Sequence, residues 1–137
     1  MQRTQMAERC PDAVAKGIAR LPAHRFIINA LGWACAIPEL GATVYGLLWE
    51  LTDSDVEALD AYEGVAEGEY APKAVSAERW PSGEAVGAWI YAATTVAPGT
   101  PAPAYLAGIV EAAVSLGAPP EYIAELRAWG RITDRGR

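Results

Sequence analysis

The stretch Leu59-Asp60-Ala61-Tyr62-Glu63-Gly64-Val65-Ala66-Glu67-Gly68-Glu69-Tyr70 concentrates groups that could do chemistry. An acid stands at a helix end, followed by a glycine, an apolar residue, a second glycine and an aromatic residue opening a strand. A carboxylate at a helix C-terminus faces the negative end of the helix dipole. Desolvation would act in the same direction, favouring the neutral acid and moving Glu63 toward proton transfer near neutrality. On composition alone a solvated surface acid is the commoner outcome. Asp60, beside it, suits a structural role, capping the local turn or bracing the loop, ahead of a chemical one.

The other reactive side chains give weaker signals. Cys10 and Cys35 form no CxxC pair, and two cysteines with one histidine make no complete zinc set, so no metal site is expected. Cys10 is a nucleophile in principle, but its only possible imidazole partner is His24, and a structural thiol is the better reading. Arg127, Arg131, Arg135 and Arg137 cluster near the C-terminus and read as a solvated helix end and tail.

The elements that must position these groups follow from patterning. The chain has 137 residues, about half of them apolar and a fifth charged, which suits one domain over residues 1–130 with a polar tail over 131–137. A short helix is expected over residues 2–9. Ala15–Leu21 and Arg25–Asn29 read as strands broken by Pro22, and Trp33–Ile37 as a strand stopped at Pro38. Thr43–Leu51 is nearly all apolar and is expected to be central and covered on both sides. Gly46 within it suggests a bulge, or a close approach by backbone or ligand. Thr52 with Asp55, or Ser54 with Glu57, starts a helix whose Val56 and Leu59 share a buried face. Gly64 ends that helix.

Two strands, Glu69–Arg79 and Glu84–Ala93, make a hairpin through Pro81-Ser82-Gly83. Helices follow over Ala104–Leu116 and Glu121–Trp129. Leu106, Ile109, Val110 and Ala113 form the buried stripe of the first; Ile123, Leu126 and Arg127 sit three to four apart on the second, with Trp129 closing it. The fold class is α+β, a small curved or barrel-like mixed sheet with a few packed helices.

The formal net charge of −6 repels phosphate backbones, so nucleic acid is not an expected partner. No apolar run approaches the ~20 residues needed to span a bilayer, and the first residues hold no apolar signal segment. A cytoplasmic location with no membrane partner is expected.

The run from Val56 and Leu59 to Tyr70 is similar to the core signature of the γ-glutamylcyclotransferase/AIG2-like family, Leu-x-x-Leu-Asp-x-x-Glu-Gly-Val-x-x-Gly-x-Tyr. The resemblance extends along the chain in order. Arg9-Cys10-Pro11-Asp12-Ala13 resembles the family's early RCP-x-A turn, and Gly46 to Thr52 its strand-to-helix segment. Val86 to Tyr91 resembles the strand ending in Tyr. Pro103 to Ile109 resembles a helix start, and Gly117 to Tyr122 the G-x-P-x-x-Tyr step. One such motif is weak; six in order and spacing are not.

The resemblance implies a cofactor-free intramolecular aminolysis, an acyl-transfer or cyclising-lyase reaction. The α-amine of a γ-glutamyl group attacks its own γ-carbonyl, giving 5-oxoproline and a free amine or amino acid. The partner is thus a small γ-glutamyl molecule. Glu63 matches the family's acid/base. Tyr70 and Tyr105 match aromatics lining the site, and Tyr91 matches one less securely, a core or rim tyrosine being equally good. The family's N-terminal strand and Tyr-Gly-Ser-Asn loop, which resembles an anion nest, have no counterpart here. Met1 aligns just behind that loop, so a late-assigned start or a lost segment is expected, with impaired turnover by the chain as written. The alternative function is a non-catalytic interaction or regulatory domain that keeps the fold.

Overall fold

A computed structural model of the chain describes Cys10 and residues 12–135, with the backbone alone for 131–135. The helix expected over residues 2–9 lies outside the described residues. Four strands and three helices follow in the order β1 (Val14–Ile28), β2 (Ala34–Glu50), α1 (Asp53–Tyr62), β3 (Tyr70–Arg79), β4 (Ala85–Ala93), α2 (Pro103–Leu116) and α3 (Pro120–Arg135). The sheet runs β2-β1-β3-β4. Among the described residues every pairing is antiparallel, where a mixed sheet was expected. It curls: β2 and β4, its two edges by hydrogen bonding, come into contact. The fold is α+β.

The prolines do not divide the first hairpin. β1 continues through Pro22 by slipping register between Pro22 and His24, where Ala23 takes a left-handed φ of 57°. A bulge absorbs a residue that cannot donate to the ladder. Pro38 is tolerated because β2 is an edge strand. That position corrects the expectation of a central Thr43–Leu51 strand. The apolar run is half-buried because Val44 and Tyr45 pack on the main core, while Trp49 and Leu51 pack beside Cys10 and Leu59. A short apolar run alone does not distinguish these cases. Register is unbroken at Gly46, and a side chain there would meet open space.

The main core joins Phe26, Ile27, Ile28 and Cys35 of the hairpin to Leu106 and Ala113 of α2 and Tyr122, Leu126 and Trp129 of α3. Phe26 meets Trp129 edge-on at 6.5 Å between ring centroids. The buried stripe of α3 is therefore Tyr122, Leu126 and Trp129, and Arg127 is exposed. Helix α3 also continues past Trp129 to Arg135, where a loose tail was expected from Gly130. Gly130 is a contact residue here, since a Cβ would stand 3.2 Å from Leu106 Cδ2.

Cys10 is buried against Leu59, and its thiol donates to the Asp55 carbonyl at 3.5 Å. His24 stands in the β1–β2 pairing opposite Pro38, its Nδ1 2.9 Å from the Pro22 carbonyl oxygen. Among the described residues no helix is long and apolar enough to cross a membrane.

Helix α1 begins with a complete capping box. Thr52 Oγ1 accepts from the Asp55 amide at 3.2 Å, and Asp55 Oδ2 accepts from the Thr52 amide at 3.0 Å. Of the two candidate caps, Thr52–Asp55 is the one formed. Asp55 is buried and Thr52 exposed, and the reciprocal pair satisfies two amide donors at the helix start. Replacing Thr52 by Ala is expected to lower stability by about 1 kcal/mol, read as a lower urea midpoint at unchanged slope.

Candidate functional site

Glu63 is placed by the way α1 ends. Its amide donates to the Leu59 carbonyl at 2.8 Å. Gly64 then turns left-handed at φ 67°. The Gly64 amide reaches the Ala61 carbonyl at 3.3 Å and the Val65 amide reaches the Asp60 carbonyl at 3.1 Å. This double closure is a Schellman motif, and it requires a residue that adopts positive φ without strain. Gly64 is constrained twice, because a Cβ would lie 2.6 Å from Glu69 Oε2. The helix end thus fixes Glu63 and lets the Glu69 carboxylate close over the glycine.

Glu63, Glu69, Tyr70 and Tyr105 all line one cavity of about 760 Å³. Its remaining wall is largely apolar and includes Phe26, Val44, Leu47, Ile109 and Leu126. The volume lies in the range of ~300–1,000 Å³ usual for small-molecule pockets.

The two tyrosines are held by the backbone of one residue of the sheet edge, Ala34. The Asn29 amide donates to the Trp33 carbonyl at 2.9 Å, so the adjacent pair Ile28–Ala34 is of the non-hydrogen-bonded kind. Its polar groups point away from the partner strand. Gly99 supplies the donor for the Ile28 carbonyl at 2.8 Å. For Ala34 the partners are the phenols: Tyr70 donates to its carbonyl at 3.1 Å, and its amide donates to the Tyr105 oxygen at 3.0 Å. The two hydroxyls are therefore polarised oppositely. Tyr70 spends its one O–H on the hydrogen bond to the backbone and keeps oxygen lone pairs. Tyr105 has accepted and keeps its proton to give.

Burial pushes both phenols above their ordinary range. For Tyr70 the neighbouring Tyr105 and the negative charge of Glu63 add to the effect. For Tyr105 the Ala34 amide opposes it, and Glu63 again adds to it. Trp33 supports Tyr105 edge-on at 5.4 Å.

Tyr91 is not among the residues lining the cavity. It packs beside Cys10 and Leu59 and donates to Asp60 Oδ1 at 2.5 Å. Burial first, then this hydrogen bond, pushes its phenol up. Asp60 and Tyr91 tie the last turns of α1 to β4, which is a bracing geometry.

Two residues given no role from sequence shape the site. Glu69 stands six residues after Glu63, and an acid opening the strand beside Tyr70 was the available signal. Asn29 is almost fully buried. Its Oδ1 accepts from the Leu31 and Trp33 amides, both at 3.1 Å, and its Nδ2 donates to the Thr95 carbonyl at 2.9 Å. An asparagine at a turn start is a known device for this, legible before Leu31-Gly32.

Tyr70→Phe and Tyr105→Phe are each expected to cost about 1–2 kcal/mol, by orphaning one polar group of Ala34. The double variant should deviate from additivity, because the two bonds share a peptide neighbourhood. Urea unfolding of all four chains checks this. Alkaline titration provides a second test. The phenols of Tyr70, Tyr91, Tyr105 and Tyr122 are all raised above their ordinary 10.0, so the native chain holds more protons than the unfolded one as pH climbs past that value. Stability should fall with rising pH from about 10 upward. Absorbance at 295 nm should show four of the six tyrosines ionising late or only with unfolding.

No curated protein matches the sequence. Solved structures do. One described as a gamma-glutamyl cyclotransferase superposes with a TM-score of 0.84 at 25% identity, over 93% of this chain and 80% of that one. An uncharacterized protein from Homo sapiens gives 0.81 at 26% identity, over 90% and 78%. YkqA from Bacillus subtilis gives 0.77 at 19% identity, over 94% of this chain and 48% of that one, and shares the fold. The model of the AIG2-like family matches residues 43–126, which takes in the second half of β2, all of α1, Glu63, Tyr70, Tyr105, all of α2 and the start of α3; the chain belongs to the AIG2-like family.

Proposed function

We propose that the chain is a γ-glutamylcyclotransferase-type enzyme acting on a small γ-glutamyl compound. The observation that carries this is the placement of Glu63 on the wall of a cavity shared with Tyr70 and Tyr105. Membership of the AIG2-like family and the likeness to a solved gamma-glutamyl cyclotransferase support it.

The chemistry follows from the groups present. The substrate's α-ammonium must lose a proton before its nitrogen can attack, and Glu63 takes that proton. The nitrogen forms a bond to the γ-carbonyl carbon, closing a five-membered ring. Tyr105, with its proton free to donate, meets the oxygen on which negative charge develops. The bond from the γ-carbon to the leaving nitrogen then breaks as Glu63 returns that proton to the leaving nitrogen. The ring nitrogen, which carries two hydrogens after the attack, gives up its second proton through the freed Glu63 carboxylate to the departing amine, leaving the lactam N–H. The products are 5-oxoproline and an amine. Nucleophile and electrophile belong to one molecule, so holding the glutamyl chain folded does much of the catalytic work. Burial pushes the Tyr105 phenol above its ordinary range, which favours the protonated, donating form.

Incubation with γ-glutamyl-alanine and γ-glutamyl-ε-lysine, watching for 5-oxoproline, tests the reading. Glu63→Gln should lower kcat on the order of 10²–10⁴-fold, the range for a positioned acid/base, with circular dichroism unchanged. A Glu63→Gln chain that kept its rate would remove Glu63 from the mechanism.

A further inference from the structure

Glu69 is a second carboxylate on the cavity wall, and the acid/base chemistry above does not use it. We propose that Glu69, together with the phenolic oxygen of Tyr70, is the ammonium-holding corner of the cavity. The inference rests on the cyclotransferase reading and deepens it by naming a positioning residue.

Three observations carry it. The first is direction. Glu69 is solvent-accessible, yet its carboxylate folds back over Gly64, where a Cβ would stand 2.6 Å from Oε2 and 3.0 Å from Cδ. It lies against the glycine that follows Glu63 and adjoins Tyr70 in sequence. The second is hydrogen-bond polarity. The Tyr70 hydroxyl donates its hydrogen bond to the Ala34 carbonyl, so toward the cavity its oxygen can only accept. Tyr105 has accepted from Ala34 and can donate.

The third is charge. The charged residues lining the cavity are Glu63 and Glu69, and among the described residues no Lys, Arg or His lines it. Lys16, Arg20 and Arg25 are instead paired with Glu50, Glu78 and Glu39 on the strands. An ammonium has three N–H donors and no acceptor. Glu63, Glu69 and the Tyr70 oxygen offer three acceptors, of which Glu63 is the one that takes a proton. Anionic or developing negative oxygen is left to the Tyr105 side. Glu69 thus fixes which end of the glutamyl chain faces Glu63, and itself transfers no proton.

The test compares two ligands that differ only in the α-amino group, γ-glutamyl-anilide and glutaric acid monoanilide. The latter cannot cyclise. For the wild-type chain, 5-oxoproline release gives kcat and KM for the anilide, and calorimetry gives affinities for both compounds. Glu69→Gln should weaken the amino compound about tenfold in KM and in affinity, with kcat changed less than threefold. Its affinity for the des-amino compound should stay within twofold or improve. Glu69→Ala should behave alike, and Glu69→Asp should recover part of the loss.

Equal loss for both ligands, or no loss for the amino compound in either Gln or Ala variant, overturns the assignment. Failure of the wild-type chain to release 5-oxoproline overturns the cyclisation reading instead. The affinities of the two anilides then still decide the role of Glu69, and binding of neither anilide overturns it.

Discussion

The polar groups of Ala34 are the constraint on which the site depends. β2 is an edge strand, and at Ala34 its amide and carbonyl point off the sheet. Half-buried beside the core, they need partners, since a buried unpaired backbone group costs about 1–3 kcal/mol. The sheet supplies none, so two phenols do: Tyr70 from the first residue of β3 and Tyr105 from the first turn of α2. Satisfying one peptide neighbourhood therefore draws three elements to a common wall. It also sets the polarity of the two hydroxyls, because one must give a proton and the other receive one.

The same logic positions Glu63. Helix α1 is closed at its start by Thr52 and Asp55 and at its end by the Gly64 turn. Its flank is tied to β4 through Asp60 and Tyr91. A helix end so held fixes the backbone from which Glu63 reaches the cavity wall. Asn29 does for the opposite wall what the caps do for α1. It fixes the β1–β2 turn that presents Trp33, and Trp33 sets the plane of Tyr105. Local backbone satisfaction and site geometry are thus the same set of bonds.

Much of this was legible in the sequence, for reasons that differ by element. The cap at Thr52 and the stop at Gly64 were readable because both are local: side-chain chemistry and backbone freedom act within a few residues. The hairpin through Pro81-Ser82-Gly83 was readable for the same reason. The edge position of β2 was not, because an apolar run records how much surface is covered and not what covers it. Pro22 and Pro38 read as strand ends, since bulges and edges that tolerate proline are decided by distant pairing. Gly130 read as a stop, although its reason lies in Leu106, 24 positions away. The bonds from Ala34 to Tyr70 and Tyr105 join residues 36 and 71 apart, which no periodicity records.

Charge distribution adds a last step. With net charge −6 the chain has fewer cations than acids, and three of the described cations are paired with acids along the strands. Lys16–Glu50 and Arg25–Glu39 are exposed pairs that contribute little stability, and Arg20–Glu78 is half-buried. Their consequence for the site is where positive charge is held: beside strand carboxylates and away from the cavity wall. Inside the cavity, Glu63 and Glu69 make the local potential negative, and an apolar wall leaves that potential less screened than at an open surface. On the proposed cyclotransferase reading, a glutamyl chain entering such a cavity carries one cation and one anion at its α-carbon. The field would turn the cation toward the carboxylates, the orientation from which the amine could lose its proton and reach the γ-carbonyl.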